Sequence, residues 1–192
     1  MSTTLTIKNM VCPRCISAVN QIVNGLKLKV KDIRLGAVEL DEDVLDAKTM
    51  IELDQMLSES GFERIDGKKS QLLERIKTLV IQTIHYENHF QLTINWSDFL
   101  SERLAHDYHY LSTLFSSVMG ITLEQYIIKQ KIEKVKEYLH YDQLAIKEIA
   151  FKLGYSSVAH LSAQFKKVTG MPPSAFKKGN SSVDRQSLDG IQ

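Results

Sequence analysis

The chain has 192 residues, of which 43% are hydrophobic and 24% are charged, a composition typical of a folded globular protein. Disorder and a coiled-coil fibre are therefore excluded. No apolar run approaches the roughly 20 residues of a membrane-spanning helix, and the first residues lack the segments of a signal peptide, so we expect a cytoplasmic protein. The net charge of +1 is too small to identify a nucleic-acid partner by itself.

The first 66 or so residues predict a small mixed domain, because alternating apolar residues indicate strands and apolar residues at helical spacing indicate helices. In chain order, the predicted segments are TLTIKNMV, CISAVNQIVNGL, KVKDIRL, AVELD, TMIELDQMLSESGF and FERI. The order strand, helix, strand, strand, helix, strand predicts a ferredoxin-like βαββαβ fold within an α+β protein. Such a domain is an antiparallel sheet with two helices on one face.

A break in the apolar pattern near residue 67 marks the predicted domain boundary. Ser70 is expected to cap a long amphipathic helix, QLLERIKTLVIQTIHYENH, whose apolar residues share one face. The chain therefore divides into a small α+β domain over 1–66, an all-α domain over 67–178 and a tail over 179–192. The tail has no apolar periodicity and is predicted to be disordered.

The helical domain contains an internal repeat at an offset of 50 residues. Each copy has a short helix, a break, a second helix and a glycine stop, which is the arrangement of a helix-turn-helix unit. Asp107 and Ser156 are predicted to cap the two second helices. The repeated residues are Leu111, Ser112, Phe115, Val118, Gly120 and Tyr126, which recur as Leu161, Ser162, Phe165, Val168, Gly170 and Phe176.

One long helix is predicted between the two units. Its sequence, ITLEQYIIKQKIEKVKEYLHY, has 21 residues, which at about 1.5 Å each span roughly 31 Å. Major-groove faces recur about every 34 to 36 Å along one side of a DNA duplex. A rod of this length predicts that one polypeptide can place two helices in successive major grooves.

Two stretches, IKEIAFKLGYSSVAHLSAQFKKVTGMPPSAF and YLSTLFSSVMGITLEQYI, make residues 70 to 178 resemble the DNA-binding domain of AraC/XylS-family transcriptional regulators. The resemblance implies that the second helix of each unit enters the major groove of double-stranded DNA. Carried over by position, the groove-facing residues are His109, Ser112, Thr113 and Ser116 in the first unit, and Ala159, Ser162, Ala163 and Lys166 in the second.

The chain departs from this family where arginine is common, because Thr113 and Ala163 occupy those positions. A guanidinium pairs bidentately with guanine, so its absence predicts weaker or A·T-biased readout through hydroxyls, methyl groups, His109 and DNA shape. The family has monomeric and dimeric members, so a homodimer stays open. The residues expected to neutralise phosphates are Lys166, Lys167, Lys177 and Lys178.

Both cysteines lie in the loop Met10-Val11-Cys12-Pro13-Arg14-Cys15, between the first strand and the first helix. The loop is similar to the Met-x-Cys-x-x-Cys loop of heavy-metal-associated domains, a resemblance that implies Cys12 and Cys15 as metal ligands. A helix start beside Arg14 is expected to favour the Cys15 thiolate. Two thiolates suit Cu(I) or another soft ion better than Zn(II). Thiol redox chemistry and the absence of any role are the alternatives.

Together these features predict a bacterial-type transcriptional regulator in which metal binding or oxidation at Cys12 and Cys15 biases the helix-turn-helix domain. No phosphate-binding glycine loop or nucleophile elbow occurs in the sequence, so an enzyme is not expected. One alternative is a metal carrier or protein-binding module whose helical half docks a protein partner. The other is a thiol oxidoreductase, which the short first domain disfavours.

Overall fold

The structure is a computed structural model that describes residues 3–41, 45–87, 95–141, 144–178, 187–188 and 190–191. Its internal packing divides the chain into two units, Met1–Leu79 and Val80–Gln192. This division falls inside a helix, whereas the sequence suggested a boundary near residue 67. Most of that helix therefore belongs to the first unit.

The first unit begins with a four-stranded sheet and two helices. Its elements are β1 (Thr3–Lys8), α1 (Pro13–Gly25), β2 (Val30–Arg34), β3 (Ala37–Leu40), α2 (Ala47–Glu59) and β4 (Glu63–Ile65). The strands lie in the order β2-β3-β1-β4, and each neighbouring pair is antiparallel. The predicted order of strands and helices is the order observed.

The core of this unit lies between the sheet and the two helices. Helix α1 buries Val19, Ile22 and Val23, whose spacing of three and four residues places them on one helical face. Helix α2 buries Leu53 and Leu57 in the same way. The strands complete the core with Leu5, Ile7, Val38 and Leu40.

Helix α3 (Lys68–Ile81) follows β4 and continues into a π-helical turn over Gln82–Tyr86. The prediction that Ser70 caps this helix was wrong, because the helix begins two residues earlier and Ser70 lies in its first turn. Gly67, with φ +95°, precedes the helix, so the chain already turns there.

Gly36 lets α3 approach the turn between β2 and β3 closely. Its φ is +75°, and a Cβ at this position would lie 2.7 Å from the Thr78 hydroxyl oxygen of α3. Any side chain at residue 36 would therefore meet both an unfavourable backbone conformation and a steric clash. Glycine is the residue that this contact requires.

The second unit is helical in the part of the chain that the structure describes. Its helices are α4 (Trp96–Leu104), α5 (Tyr108–Met119), α6 (Leu123–His140), α7 (Ile146–Lys152), α8 (Val158–Thr169) and α9 (Pro173–Lys178). Helices α4 and α5 form one helix-turn-helix unit, α7 and α8 form the other, and α6 joins them. None of the helices in the described ranges is both long and apolar enough to cross a membrane.

Helix α6 has 18 residues and spans about 27 Å, which is shorter than predicted. Its start is fixed by a reciprocal cap, in which Thr122 Oγ1 accepts from the Gln125 backbone N–H and the Gln125 side chain accepts from the Thr122 backbone N–H. The helix therefore begins at Leu123 rather than at Ile121.

The 50-residue repeat is preserved in three dimensions. The rings of Phe115 and Tyr126 lie 5.0 Å apart, and those of Phe165 and Phe176 lie 5.5 Å apart. Helices α5 and α8 both have 12 residues and end at a glycine with positive φ. The two units therefore repeat the same packing.

One cap prediction is confirmed and the other is corrected. Asp107 accepts from the backbone N–H of His109 at the start of α5. The cap of α8 is Ser157, whose hydroxyl accepts from the backbone N–H of His160, while the Ser156 hydroxyl lies 3.0 Å from the His160 ring nitrogen. Ser156 was therefore wrong by one residue, and Ser157 is the residue that lies 50 positions after Asp107.

Four described residues of the predicted tail include two that contact or pack into the second unit. The Leu188 carbonyl accepts a 3.0 Å hydrogen bond from Gln130 Nε2 of α6, and Ile191 is fully buried. An apolar residue and a backbone bond thus attach this segment to the second unit, despite its polar composition. The prediction for 179–186, 189 and 192 lies outside the described residues.

Candidate nucleic-acid interface

Helix α5 presents the four predicted residues of the first helix-turn-helix unit along one face. Residues at spacings of three and four lie side by side on a helix. Leu111, Leu114 and Phe115 are buried on the opposite face, which turns the predicted set toward solvent. His109 and Thr113 are exposed, and Ser112 and Ser116 are half-buried.

The Ser116 hydroxyl is already used within α5. It donates to the backbone carbonyl oxygen of Ser112 at 2.6 Å, so its proton is already engaged. The exposed polar groups of this helix are therefore hydroxyls and one imidazole. No lysine or arginine occurs between Tyr108 and Met119.

Helix α8 presents the corresponding face of the second helix-turn-helix unit. Leu161 and Phe165 are fully buried, as Leu111 and Phe115 are in α5. The predicted residues again lie on the other side, where Ser162 is half-buried and the exposed residues are Ala159, Ala163, Lys166 and Lys167. Two lysines in the last turn give α8 the positive charge that α5 lacks.

The exposed lysines continue beyond α8. Lys177 and Lys178 lie in the last turn of α9 and are also exposed. Exposed ammonium groups near a helix end are suited to phosphate contacts, which position a protein on DNA without reading bases. The positive charge of the predicted surface is therefore concentrated at α8 and α9.

Cys12 and Cys15 come together at the start of α1. Cys12 is the N-terminal cap, with φ −145° and ψ 162°, and Pro13 occupies the first helical position. The two sulfur atoms lie 2.9 Å apart, with one thiol donating to the other. Both residues are free cysteines and half-buried, so the pair is accessible to a small reagent.

The prediction that the helix start and Arg14 favour the Cys15 thiolate was wrong. Burial raises the pKa of the Cys15 thiol, and the hydrogen bond with Cys12 raises it further. Loss of hydration outweighs the backbone donors at this position, and Arg14 is exposed. Within the described residues, no group of three or more His, Cys, Asp or Glu side chains is placed to hold a metal ion.

A cavity in the second unit was not anticipated from the sequence. Its walls include Trp96 of α4, Lys131 of α6, and Tyr155 in the turn between α7 and α8. These residues are distant along the chain, so no local pattern connects them. The one sequence feature that could have pointed to the cavity was Trp96, which is the sole tryptophan of the sequence.

Comparison with protein-family models matches residues 100–179 to a helix-turn-helix domain. That range covers most of α4 and all of α5 to α9. The second unit therefore contains a helix-turn-helix domain.

Relatives of the chain are transcriptional regulators. It is 23% identical over 174 residues to the uncharacterized regulator YtdP of Bacillus subtilis, covering 88% of this chain and 22% of YtdP. It is 30% identical over 149 residues to the probable transcriptional regulator LumQ of Photobacterium leiognathi, covering 76% of this chain and 58% of LumQ. The chain thus matches less than two thirds of either relative's length.

A solved structure supports the fold of the second unit. The C-terminal domain of AraT, a response regulator from Geobacillus stearothermophilus, superposes with a TM-score of 0.51 and 25% sequence identity. The match covers 62% of this chain and 97% of the AraT domain. Nearly the whole of that domain is therefore represented here.

Proposed function

We propose that the chain is a transcriptional regulator that binds specific double-stranded DNA sequences through the outer faces of α5 and α8. The observation that carries this proposal is the repeated division of both helices into a buried and an exposed face. Leu111 and Phe115 anchor one helix, and Leu161 and Phe165 anchor the other, each fully buried. Each anchor leaves the opposite face available to a major groove.

The two helices would contribute differently to binding. On α5, His109, Ser112 and Thr113 supply imidazole and hydroxyl groups for base edges. On α8, Ala159 and Ala163 supply methyl groups for contact with thymine, while Lys166 and Lys167 neutralise phosphates. This chemistry favours A·T-rich sites, because arginine, the side chain that pairs best with guanine, is absent from both faces.

The DNA-binding proposal is tested by selecting bound duplexes from a random pool with the purified full chain. Fluorescence anisotropy then measures affinity for the selected duplex over a range of salt concentrations. Lys166→Glu and Lys167→Glu should each weaken binding, and neutralising one lysine should reduce the salt slope by about one. Lys147→Glu is a matched control, because Lys147 is exposed on α7 outside the proposed faces.

Two results would contradict DNA binding. One is a selection that enriches no sequence, and the other is an affinity that changes equally in Lys166→Glu and Lys147→Glu. Either result would favour the alternative in which the helical unit docks a protein partner. The sites would then be tested by the same variants in a pull-down with the candidate partner.

We also propose that the first unit is a ferredoxin-like sensor of a soft metal ion such as Cu(I), or of a thiol-reactive signal, at Cys12 and Cys15. The strand order β2-β3-β1-β4 with two crossover helices supports this assignment. The adjacent sulfurs, 2.9 Å apart, are a donor set that suits a soft ion and falls short of the four ligands of structural zinc. A bound ion would fix the loop at the start of α1.

Competition with a chromophoric Cu(I) chelator tests the sensor. Cys12→Ser and Cys15→Ser should each lose binding, and Ser17→Ala on α1 should keep it. Because burial raises the pKa of Cys15 and the ligand is the thiolate, binding should release protons and weaken as the pH falls. Equal Cu(I) affinity in all three variants, or duplex binding unaffected by Cu(I) and by thiol oxidation, would reject the sensor.

A further inference from the structure

A cavity of about 380 Å³ lies between the two helix-turn-helix units. This volume is within the range of roughly 300 to 1,000 Å³ that small-molecule sites occupy. Helices α4, α5, α6 and α8 and the turn before α8 all contribute to its walls. Its apolar and aromatic lining includes Trp96, Tyr108, Ile127, Ile128 and Tyr155.

Lys131 places a positive charge in this wall without an acidic partner. Its ammonium donates to the Leu153 carbonyl at 2.9 Å and lies 5.6 Å from the centre of the Tyr155 ring. It forms no ion pair with a carboxylate of the described residues. Other lysines with little exposure do form such pairs, namely Lys77 with Glu74, Lys134 with Glu137 and Lys136 with Glu133.

Two residues of the same wall have buried donors without partners. The indole N–H of Trp96 and the hydroxyl of Tyr155 are buried and have no hydrogen-bond partner among the described residues. An unsatisfied buried donor is costly, although neither atom has surface open to the cavity. Burial also lowers the pKa of Lys131 to about 8, which leaves the ammonium charged at neutral pH.

We propose that this cavity binds a small aromatic carboxylate, that is, one anionic group on a planar apolar body. The carboxylate pairs with Lys131. The ring packs among Trp96, Tyr155 and the two isoleucines, since aromatic rings attract one another edge to face or offset. No residue of this site belongs to the predicted DNA-contacting set.

Glu124 limits the ligand to a single charge. It lines the cavity from the first turn of α6, two turns before Lys131. Burial raises the pKa of the Tyr108 hydroxyl, and the Glu124 carboxylate raises it further. A second anionic group at that end of the ligand would be repelled, whereas a neutral ring edge is accommodated.

Such a ligand would touch both helix-turn-helix units at once. Tyr108 begins α5, and His160 and Gln164 of α8 also line the cavity. This consequence rests on the proposed DNA binding. If the ligand changes duplex affinity by some factor, the duplex must change ligand affinity by the same factor.

Trp96 provides a direct test, because it is the sole tryptophan of the sequence and lies in the wall. Its emission is followed in the full chain without DNA, at constant ionic strength, up to about 10 mM of each probe. The probes are phenylacetate, 2-phenylethanol as its neutral analogue, and acetate as the anion without a ring. Phenylacetate should change the emission saturably, and the other two should not.

Variants assign the response to the cavity. Lys131→Met should weaken phenylacetate binding by about tenfold or more, while Lys147→Met on α7 should leave it unchanged. Ile128→Phe fills the cavity without altering its charge and should also abolish the response. Circular dichroism checks that each variant is folded. If Lys131→Met does not fold, Ile128→Phe decides whether the response comes from the cavity.

The proposal is overturned if phenylacetate leaves the emission unchanged, or if 2-phenylethanol and acetate act equally well. It is also overturned if the phenylacetate response persists in Ile128→Phe, because the ligand would then bind outside the cavity. Duplex affinity is measured separately by anisotropy. A chain that binds phenylacetate but no duplex retains this site and loses the proposed function.

Discussion

The two helix-turn-helix units bury the same residues at the same offset and expose different ones. Leu111 and Phe115 correspond to Leu161 and Phe165, and all four are fully buried. The exposed faces differ, because α5 has no lysine or arginine while α8 ends in Lys166 and Lys167. Equivalent packing is thus combined with unequal charge.

This difference separates the requirements of folding from those of recognition. Buried positions must fill the same volume in both units, because interiors are densely packed and tolerate little change. Exposed positions have no such constraint, so the two exposed faces can differ. Under the proposed DNA binding, α8 would supply most of the phosphate attraction and α5 would supply polar base contacts.

Removing either buried phenylalanine should cause the largest change, a loss of stability. Phe115→Ala and Phe165→Ala should each lower the free energy of unfolding by about 3 to 5 kcal/mol, because each leaves a cavity in a core. Urea denaturation measures the loss. Val118→Ala, at a position that is 60% exposed, should change stability by no more than about 0.5 kcal/mol. A small loss for one phenylalanine alone would show that the units are not equivalent.

Lys131, at the junction of the units, should make stability depend on pH. Burial lowers its pKa from 10.5 to about 8 in the folded chain. Between these values the unfolded chain binds the proton and the folded chain does not, so stability rises with pH there. Relative to Lys131→Met, the wild-type chain should gain at most about 3 kcal/mol between pH 8 and pH 10. Urea denaturation of both proteins at these pH values measures this gain, and a constant difference would contradict the assigned burial.

Adding the missing arginine should change how the second unit reads DNA. Ala163→Arg places a guanidinium on the exposed face of α8, where a bidentate pair with guanine is worth about 1 to 3 kcal/mol of discrimination. A repeated duplex selection should therefore enrich guanine at one position. Ala163→Met controls for side-chain length without charge. Enrichment of the same sequences by all three proteins would place residue 163 outside the groove.

Residue spacing carried the parts of the structure that depend on burial. The spacing of Val19, Ile22 and Val23 located α1, and the 50-residue offset located both helix-turn-helix units. The offset also points to Ser157 as the second cap, although Ser156, the serine just before it, was predicted. Combining the repeat with the local pattern would have avoided that error.

Other features depend on packing between distant segments and were missed for that reason. The raised pKa of Cys15 follows from its burial, which the spacing of the two cysteines does not reveal. The cavity brings together Trp96, Lys131 and Tyr155 from separate helices and a turn. Ile191 is buried even though the residues around it are polar. Periodicity in a sequence shows which residues share a face of one helix or strand. Contacts between distant segments leave no such periodicity, so they could not be predicted from it.

The smallest predicted effect concerns the turns within the two helix-turn-helix units. The first turn contains Ala105 with φ +55°, and the second contains Gly154 with φ +70°. A side chain is disfavoured in this left-handed conformation, whereas glycine adopts it freely. Ala105→Gly should therefore stabilise the chain by up to about 1 kcal/mol, and Gly154→Ala should destabilise it by about 1 to 2 kcal/mol.

Thermal and urea denaturation of the two single variants and the double variant measure these changes. The two turns lie in separate units, so their effects should add within about 0.5 kcal/mol. Ala159→Gly is the control, because it places glycine inside α8, where it should cost about 1 kcal/mol. If Ala105→Gly destabilises the chain as Ala159→Gly does, Ala105 does not adopt a left-handed conformation in solution. The two turns would then differ in backbone as well as in sequence.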